Sequence, residues 1–309
     1  MSRLISVRTV WLVALLFVEV SCASAQTAQL ATRSTTQPKL RPTTRAATQP
    51  VRVSPKQRTY VGLVSPMTKS WSEVGDSLVA TGVVISNERQ YLTRNGQDGW
   101  WHVTSIVTVN HGLTAEAKKK GYMTVRRLDC VDPLGYTETD AKITHVFWNA
   151  DLAILTIERE DAPFMPETIP FLLGEIPEGW VHLCGSADAN QGTFSTGEYM
   201  KGRHEFTENI GFGPVTVPTD LLTTCYTQPG ASGGPFFVEK DGVIYCVGMV
   251  THVLTEDRVL NGDVTVPTGS AFGFRSDQIR YFARRDKVDH LFTFKRLPTT
   301  QPGVLATAK

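Results

Sequence analysis

The sequence lacks three features that would direct its interpretation: an excess of charge of one sign, a long hydrophobic run, and closely spaced cysteines. Lys and Arg number 31 against 30 Asp and Glu, so the net charge is +1. A near-neutral chain gives no electrostatic reason to expect binding to nucleic acid or an acidic membrane. The apolar run at residues 10–18 is shorter than the about 20 residues that cross a bilayer. No Cys-x-x-Cys pair occurs, so neither a zinc cluster nor another cofactor is predicted.

The apolar run fits an export signal instead. Two arginines precede it and Ala23-Ser24-Ala25 follows, which is the pattern of a secretory signal peptide. We therefore predict that residues 1–25 are a signal peptide and that the protein is exported, to the periplasm or the medium. A lipoprotein anchored through Cys22 is the rival interpretation, which Glu19 disfavours because such signals normally carry leucine there.

Cysteine usage leaves two interpretations open. Cleavage of the signal leaves four cysteines, which are Cys130, Cys184, Cys225 and Cys246. In an exported protein they permit two disulfides, with three possible connectivities. The alternative is that they are unpaired, buried side chains that pack as small hydrophobic residues.

Composition divides the remaining chain into two polar ends and one folded part. Residues 26–58 are rich in Thr, Pro and Gln, and such a stretch buries too little apolar surface to fold. Residues 291–309 repeat the Thr-Thr-Gln-Pro theme. Both ends are predicted to be disordered, solvated tails, with a tether or a glycosylated stalk as the less favoured alternative. Residues 59–290 are predicted to form the folded domain.

The folded part has the sequence pattern of an all-β protein. Runs rich in β-branched residues predict six strands in its first half, a number that fits a closed antiparallel barrel. The second half repeats the pattern, so barrels of about residues 59–164 and 165–275 are expected. Asn95-Gly96 is a hairpin turn signal within a polar insertion. The glycines of Gly185–Arg203 favour a surface loop. Ser276 is expected to cap a C-terminal helix of about residues 276–290.

One short stretch carries the chemistry: Gly230-Ala231-Ser232-Gly233-Gly234-Pro235. Glycine loses the most backbone freedom on folding, so a serine with three glycines around it is costly in ordinary structure. The cost makes sense if Ser232 lies on a tight turn that a substrate carbonyl can approach. The N–H groups of Gly230 and Ser232 would then form an oxyanion hole. A glycine-rich turn between two strands is the plain alternative.

Two earlier segments extend this pattern. The β-rich run Ser105–Val109 is followed by Asn110 and then by His111. Asp151 directly precedes an alternating strand at Leu152–Ile157. The chain order His, Asp, Ser and the three local motifs resemble the chymotrypsin-like (trypsin-like) serine proteases. The resemblance covers residues 59–290.

The resemblance implies two six-stranded antiparallel β-barrels and a serine endopeptidase acting on a protein or peptide substrate. Ser232 would be the nucleophile, His111 the general base and then acid, and Asp151 the carboxylate that orients the histidine. His145 is the competing histidine, but it lacks the same context. His204-Glu205 lacks the second histidine of a metalloprotease motif, and an α/β-hydrolase would need the order Ser, Asp, His.

Departures from the family pattern refine the prediction. Ala231 stands where proteases activated by zymogen cleavage carry aspartate, so pairing with a freed N-terminus is not expected. The sequence is most similar to bacterial trypsin-like peptidases, and the short stretch after Leu291 predicts a catalytic unit without a PDZ domain. A binding or scaffold protein with a weak or inactive protease-like site is the alternative function.

Substrate preference follows only from the resemblance. Tyr226 would lie at the base of the primary specificity pocket with Thr227 beside it. The segment that pairs with substrate backbone would be Thr251, His252 and Val253, and Phe272 and Phe274 would form the far wall. Without an aspartate at the base, preference for Arg or Lys is not expected. A small or apolar residue is favoured, and an acidic residue held by Thr227 and His252 is the alternative.

Overall fold

The computed structural model describes residues 60–64, 78–127, 138–147, 150–165, 167–188, 191–209, 214–227, 230–260 and 264–297. The predicted signal peptide, the tail predicted at residues 26–58, residues 298–309 and the side chains of Cys130 and Cys184 lie outside the described part. The solvated tail predicted at 291–309 is wrong at its start, because residues 294–296 form a strand. No helix in this part is long and apolar enough to cross a membrane.

The first half of the chain forms a closed six-stranded barrel. Its strands are β1 (Tyr60–Val64), β2 (Leu78–Arg94), β3 (Gln97–Thr108), β4 (Tyr122–Arg127), β5 (Glu138–Val146) and β6 (Ala153–Arg159), in the order β1-β2-β3-β6-β5-β4. A 3-10 turn (Asn110–Gly112) and helix α1 (Ala115–Lys120) separate β3 from β4. The hairpin predicted at Asn95-Gly96 is confirmed, with φ of 51° and 79° at the two turn residues.

The second half forms another ring of six antiparallel strands with two short strands added. The ring is β8 (Trp180–Asp188), β9 (Gln191–Met200), β12 (Leu221–Tyr226), β17 (Ser270–Arg275), β14 (Val243–Val253) and β13 (Pro235–Lys240), closed by pairing of β13 with β14. The added strands are β7 (Phe171–Leu173) and β18 (Phe294–Arg296), and β15 (Arg258–Leu260) pairs separately with β16 (Val264–Val266). The all-β fold with two barrels is confirmed.

One compact unit of the chain comprises residues 52–203 and 219–309, which include both barrels. Residues 204–218 belong to a second unit. Strands β10 (His204–Asn209) and β11 (Pro214–Thr219) form a two-stranded sheet of their own.

The surface loop predicted at Gly185–Arg203 is wrong, because this stretch supplies much of the β8–β9 hairpin. Its glycines serve close packing as well as turns. A Cβ on Gly197 would lie 2.3 Å from the backbone nitrogen of Cys225 and 2.5 Å from the carbonyl carbon of Thr224. Only glycine lets β9 lie this close to β12.

Three apolar clusters stabilise the fold. One fills the first barrel, around Ile106 and Leu155, and another fills the second, around Phe236 and Val250. The third lies between the barrels and the C-terminal helix and includes Val107, Met249 and Ile279. It buries side chains from both barrels, so it fixes one barrel against the other.

The predicted C-terminal helix is confirmed as α2 (Ser276–Arg285), but its predicted end near residue 290 and the cap predicted at Ser276 are wrong. Asp289–Leu291 form a separate 3-10 turn. The N-cap position is Arg275, whose N–H donates to the Gln278 side chain at 2.9 Å. The Ser276 hydroxyl points inward and donates to the Cys246 carbonyl at 2.8 Å. That hydrogen bond attaches the first turn of α2 to β14.

Cys225 and Cys246 are free thiols in the two barrel-two strands β12 and β14. Both are buried, and burial raises the pKa of Cys225 to about 11 and that of Cys246 to about 12. For these two residues the buried, unpaired interpretation is confirmed, and burial disfavours the thiolate, which is the reactive form.

Gly197→Ala should destabilise the protein by about 1–3 kcal/mol, because the added methyl overpacks the β9–β12 contact. Urea unfolding followed by circular dichroism measures the change. Gly99→Ala is the matched control, since a Cβ there meets nothing nearer than the Trp101 ring nitrogen at 3.7 Å. If both variants unfold at the wild-type midpoint, the packing of β9 is not as described.

Candidate active site

His111 lies in the 3-10 turn that follows β3. The next residue, Gly112, is buried, and a Cβ there would lie 2.4 Å from the Cβ of Ala80 on β2. The turn therefore packs directly on β2, which only glycine allows. This close contact fixes the backbone next to His111 and therefore the direction of the His111 side chain.

Asp151 holds His111 through two hydrogen bonds. One carboxylate oxygen, Oδ2, lies 2.5 Å from the imidazole Nδ1, and the other accepts the His111 backbone N–H at 2.8 Å. Asp151 stands in a tight loop before β6, in which the Phe147 N–H donates to the Leu152 carbonyl at 3.0 Å. With 33% and 27% of the two side-chain surfaces exposed, the pair is open to solvent on one side.

Ser232 lies on a turn of barrel two that rests on barrel one. Its carbonyl accepts the Thr81 backbone N–H at 2.7 Å. Gly233 has a φ of 87°, and a Cβ there would lie 2.0 Å from the Thr81 carbonyl oxygen. Glycine is thus required twice, for the backbone angle and for the close approach. The turn is also tied to its own barrel, since the Gly233 N–H donates to the Val250 carbonyl at 2.7 Å.

Gly230 begins this turn in a left-handed conformation, with a φ of 95°. Its carbonyl accepts the Thr81 hydroxyl at 2.8 Å, so Thr81 holds the turn at both Gly230 and Ser232. No described residue accepts a hydrogen bond from the backbone N–H of Gly230 or of Ser232. These two donors therefore remain available in the described part of the structure.

Strands β2 and β3 of barrel one hold both the histidine turn and the serine turn. Thr81 binds the serine turn and follows Ala80, which packs on Gly112. Thr108, which ends β3 three residues before His111, donates to the Thr81 carbonyl at 2.7 Å. Within the described residues no hydrogen bond joins Ser232 to His111. Catalytic hydrogen bonds often tighten only when substrate is bound.

Tyr226 and Thr227, the predicted pocket base, lie where β12 ends against β17. Tyr226 is 58% exposed, and its ring lies against Gly269, where a Cβ would be 2.5 Å from a ring carbon. The Thr227 N–H donates to the Gly269 carbonyl at 2.8 Å. The Thr227 hydroxyl is buried and has no hydrogen-bond partner among the described residues. The structure thus places Tyr226 and Thr227 at the end of β12, which precedes Gly230 in the chain.

The predicted backbone-pairing segment ends β14. Thr251 is buried, and its hydroxyl lies 2.8 Å from the Nδ1 of His252. The His252 ring stacks on Phe272, with centroids 5.1 Å apart and planes 12° apart. Val253 is half-buried and pairs with Ala271 on β17.

Phe274 occupies a different environment from Phe272. Its ring packs edge-to-face on Phe282 of α2, with centroids 5.7 Å apart. The structure therefore brings Phe272 to His252 but takes Phe274 to the C-terminal helix. A bulge in the β14–β17 pairing between Val250 and His252 separates the two parts of β17.

His252 is a second histidine within electrostatic range of the His111–Asp151 pair. The His252 side chain keeps an exposed edge, yet the protein atoms packed around its ring disfavour the imidazolium and lower its pKa. The Asp151 carboxylate opposes this shift, and His111 adds to it. The surroundings of the His252 ring therefore favour its neutral form.

Two positioning groups were missed in the sequence. Thr81 holds the serine turn, and the Ser195 hydroxyl accepts the Tyr226 backbone N–H at 2.8 Å. Thr81 is an ordinary β-strand threonine, and Ser195 lies in the stretch taken for a loop, so neither carries a local signal. No group of three or more His, Cys, Asp or Glu side chains that could hold a metal occurs among the residues described.

Comparison with known proteins adds a family match. The model of the trypsin-like peptidase domain matches residues 80–249, more than half of the chain. No curated protein sequence matches.

Solved structures with a similar arrangement include the MamO protease domain from Magnetospirillum magneticum, with 16% identity, a TM-score of 0.47, and coverage of 73% of this chain and 96% of that one. The active form of the Rv3671c protease from M. tuberculosis has 16% identity and a TM-score of 0.46, covering 74% and 81%. A serine endoprotease from Yersinia pestis has 17% identity and a TM-score of 0.45, covering 76% and 64%. With TM-scores below 0.5, these likenesses add no weight of their own.

The His252 imidazole should titrate below the ordinary value of about 6.5. Asp151→Asn should lower this pKa further, because the carboxylate favours the charged imidazole. His111→Gln should raise it, because the ring that disfavours protonation of His252 is removed. NMR titration of the ring protons measures all three, with His252→Gln to assign the resonance. A His252 that titrates above 6.5 would contradict the packing described around its ring.

Proposed function

The chain belongs to the family of trypsin-like peptidases, and we propose that it is an exported serine endopeptidase acting through His111, Asp151 and Ser232. The observation that carries the proposal is the 2.5 Å contact between the His111 Nδ1 and the Asp151 Oδ2. Acyl transfer needs a histidine that a carboxylate holds in this way and a serine on an exposed turn, such as the glycine-built turn of Ser232. The substrate is a peptide or protein.

The histidine contacts determine which nitrogen acts. With Nδ1–H donating to Asp151, the neutral ring leaves Nε2 as the proton acceptor. Nε2 takes the Ser232 hydroxyl proton as the serine oxygen attacks the scissile carbonyl, and later gives a proton to the leaving amine. Asp151 keeps this tautomer and stabilises the imidazolium formed in between. The second Asp151 contact, to the His111 backbone, holds the carboxylate itself in place.

The oxyanion that forms at the carbonyl requires fixed donors. We propose the backbone N–H groups of Gly230 and Ser232, which bind no described acceptor. Thr81 supports this role because it grips the turn on both sides of Ala231, by its hydroxyl at the Gly230 carbonyl and its N–H at the Ser232 carbonyl. Donors that are fixed before reaction need no reorganisation when charge develops.

The specificity pocket is proposed to accept a small or apolar residue. Tyr226 would place an aromatic ring, which lies against Gly269, at the proposed base, and not a carboxylate. Thr227 contributes one buried hydroxyl and no charge, which supports the expectation that Arg and Lys are poor residues here. Thr251, His252 and Val253 are proposed to face the substrate backbone, with Phe272 behind His252.

Export is proposed from the signal-peptide pattern of residues 1–25, to the periplasm or the medium of a bacterium. The turn is organised without help from a freed N-terminus, since Ala231 has no carboxylate. The contacts of Thr81 and Val250 supply that organisation locally. The proposed enzyme is therefore competent once exported.

Ser232→Ala and His111→Ala should each lower kcat by several orders of magnitude, about 10⁴–10⁶-fold, while the chain remains folded. A peptide library derived from a proteome identifies a substrate, and a fluorophosphonate probe reports the reactive serine independently. Wild type should label at Ser232 and His111→Ala should not. Near wild-type turnover in either variant rules out the assignment. A wild-type protein that neither labels nor cleaves would be the inactive scaffold instead.

Thr81→Val should lower kcat by about 10–100-fold with little change in KM, because the turn that carries both N–H donors loses the hydroxyl bond that holds it at the Gly230 carbonyl. Thr81→Ser keeps the hydroxyl and should retain most of the rate. Steady-state kinetics separates kcat from KM for both variants. If valine and serine at this position behave alike, the hydroxyl does not position the oxyanion donors.

A further inference from the structure

One face of barrel two carries side chains from the neighbouring strands β12, β17 and β14. Tyr226 of β12 lies directly opposite Ser270 of β17, and His252 of β14 lies directly opposite Phe272. Directly opposite residues have their side chains on the same face. The extra residues of both bulges belong to β12 and β14, so side chains alternate regularly along β17 and place Ser270 and Phe272 together. We call the face formed by these four side chains the outer face.

The opposite side of β17 faces the interior of barrel two. Ala271, between Ser270 and Phe272, is fully buried in the apolar cluster that fills this barrel. The Phe272 ring instead stacks on His252, which keeps an exposed edge and lies within electrostatic range of the proposed catalytic pair. The Ser270 side chain therefore points out of the barrel, on the side that carries the proposed active site.

The hydroxyl of Ser270 is buried without a partner. Ser270 is 1% exposed, and no described residue forms a hydrogen bond with its hydroxyl. Its backbone groups are both bound, since the N–H donates to the Pro267 carbonyl at 3.2 Å and the carbonyl accepts the Leu254 N–H at 2.9 Å. A buried hydroxyl without a hydrogen bond destabilises the folded protein. Alanine at this position of β17 would avoid that cost.

A second buried hydroxyl, that of Thr227, lies at the same end of barrel two. Thr227 is 6% exposed, and its hydroxyl also has no partner in the described part of the chain. The Thr227 N–H donates to the Gly269 carbonyl at 2.8 Å. That carbonyl belongs to the peptide bond between Gly269 and Ser270, so the two residues are held next to each other. Two hydroxyls that lack hydrogen bonds are thus brought to one place.

The Tyr226 ring lies over the backbone next to Ser270. A Cβ on Gly269 would be 2.5 Å from a carbon of this ring, and Tyr226 is 58% exposed. Exposed side chains change rotamer within picoseconds to nanoseconds. The ring is therefore able to turn away from Gly269 when a substrate side chain enters.

A neutral hydroxyl is the ligand group that suits two such hydroxyls. It both donates and accepts, so one ligand hydroxyl can donate to Ser270 and accept from Thr227, or the reverse. A methyl group in its place would leave both protein hydroxyls without partners. A buried carboxylate would need a cation, but the outer face contains no Lys or Arg, and burial lowers the pKa of His252.

We propose that Ser270 determines specificity: its hydroxyl, together with that of Thr227, binds the side-chain hydroxyl of a serine or threonine that precedes the scissile bond. The Tyr226 ring turns aside to admit this side chain. The inference rests on the proposed function, because it assigns a substrate preference to the same peptidase. It narrows the small residue proposed for the pocket to one that carries a hydroxyl.

Matched peptides isolate the contribution of the hydroxyl. One peptide from the proteome-derived library is made with threonine, valine, serine or 2-aminobutyrate before the scissile bond. Threonine and valine have the same shape, as do serine and 2-aminobutyrate. The wild-type kcat/KM should be about tenfold higher for the hydroxyl member of each pair, which is the contribution of one hydrogen bond. In Ser270→Ala and in Thr227→Val this ratio should fall below about threefold.

Ser86→Ala is the matched control. The Ser86 hydroxyl is also buried without a partner among the described residues, but it lies on β2 in barrel one. This variant should keep the wild-type ratio. Urea unfolding is a second measurement: Ser270→Ala and Thr227→Val should not lower the midpoint, because each removes a hydroxyl that has no partner in the free protein.

Four results would overturn the inference: equal rates within both peptide pairs, a ratio that persists in Ser270→Ala, a lowered unfolding midpoint in that variant, or fastest cleavage of a version with aspartate before the scissile bond. Fluorophosphonate labelling of Ser232 separates these results from failure of the proposed function. A protein that labels and cleaves without preferring the hydroxyl remains a serine peptidase. A protein that neither labels nor cleaves would overturn both proposals.

Discussion

The contact between Gly233 and Thr81 is the constraint on which the rest of the site depends. No side chain fits there, since a Cβ would be 2.0 Å from the Thr81 carbonyl oxygen. Because the turn approaches so closely, the Thr81 N–H and hydroxyl reach the carbonyls of Ser232 and Gly230. The apolar cluster between the barrels stabilises their packing against each other. The position of the serine turn is fixed by the backbone contact of Gly233 with Thr81.

The histidine half of the site depends on a similar close approach. Gly112 packs on Ala80, one residue before Thr81 on β2. Adjacent residues of one strand thus receive the histidine turn and the serine turn. Thr108, at the end of β3, hydrogen-bonds the Thr81 carbonyl and completes a short framework under both turns. Close backbone contacts of this kind restrict the position of a neighbouring side chain more than contacts made by long surface side chains do.

The electrostatic environment of the His111–Asp151 pair is set by groups close to it. Asp151 binds both the ring and the backbone of His111. Burial of the His252 ring, which stacks on Phe272, lowers its pKa and disfavours the imidazolium. The proposed chemistry, in which an imidazolium forms and disappears, is compatible with that balance.

The sequence alone determined the β-rich texture, the Asn95-Gly96 hairpin, the C-terminal helix and the three local motifs. These are set by short-range rules: strand periodicity, turn residues with positive φ, and glycine where nothing larger fits. The family match over residues 80–249 agrees with that interpretation. Whether His111, Asp151 and Ser232 carry out catalysis remains the proposal to be tested.

Only the tertiary structure decided the roles of Thr81, Ser195 and Gly197. Thr81 and Ser195 act on residues 149 and 31 positions away, and no local pattern marks a hydroxyl for a distant backbone group. The Gly185–Arg203 stretch has the composition of a loop, yet cross-strand pairing and the close packing of Gly197 make it a hairpin. The helix cap moved from Ser276 to Arg275 because β14 offered the serine hydroxyl a buried acceptor. Local propensity is a weak preference, and long-range contacts override it.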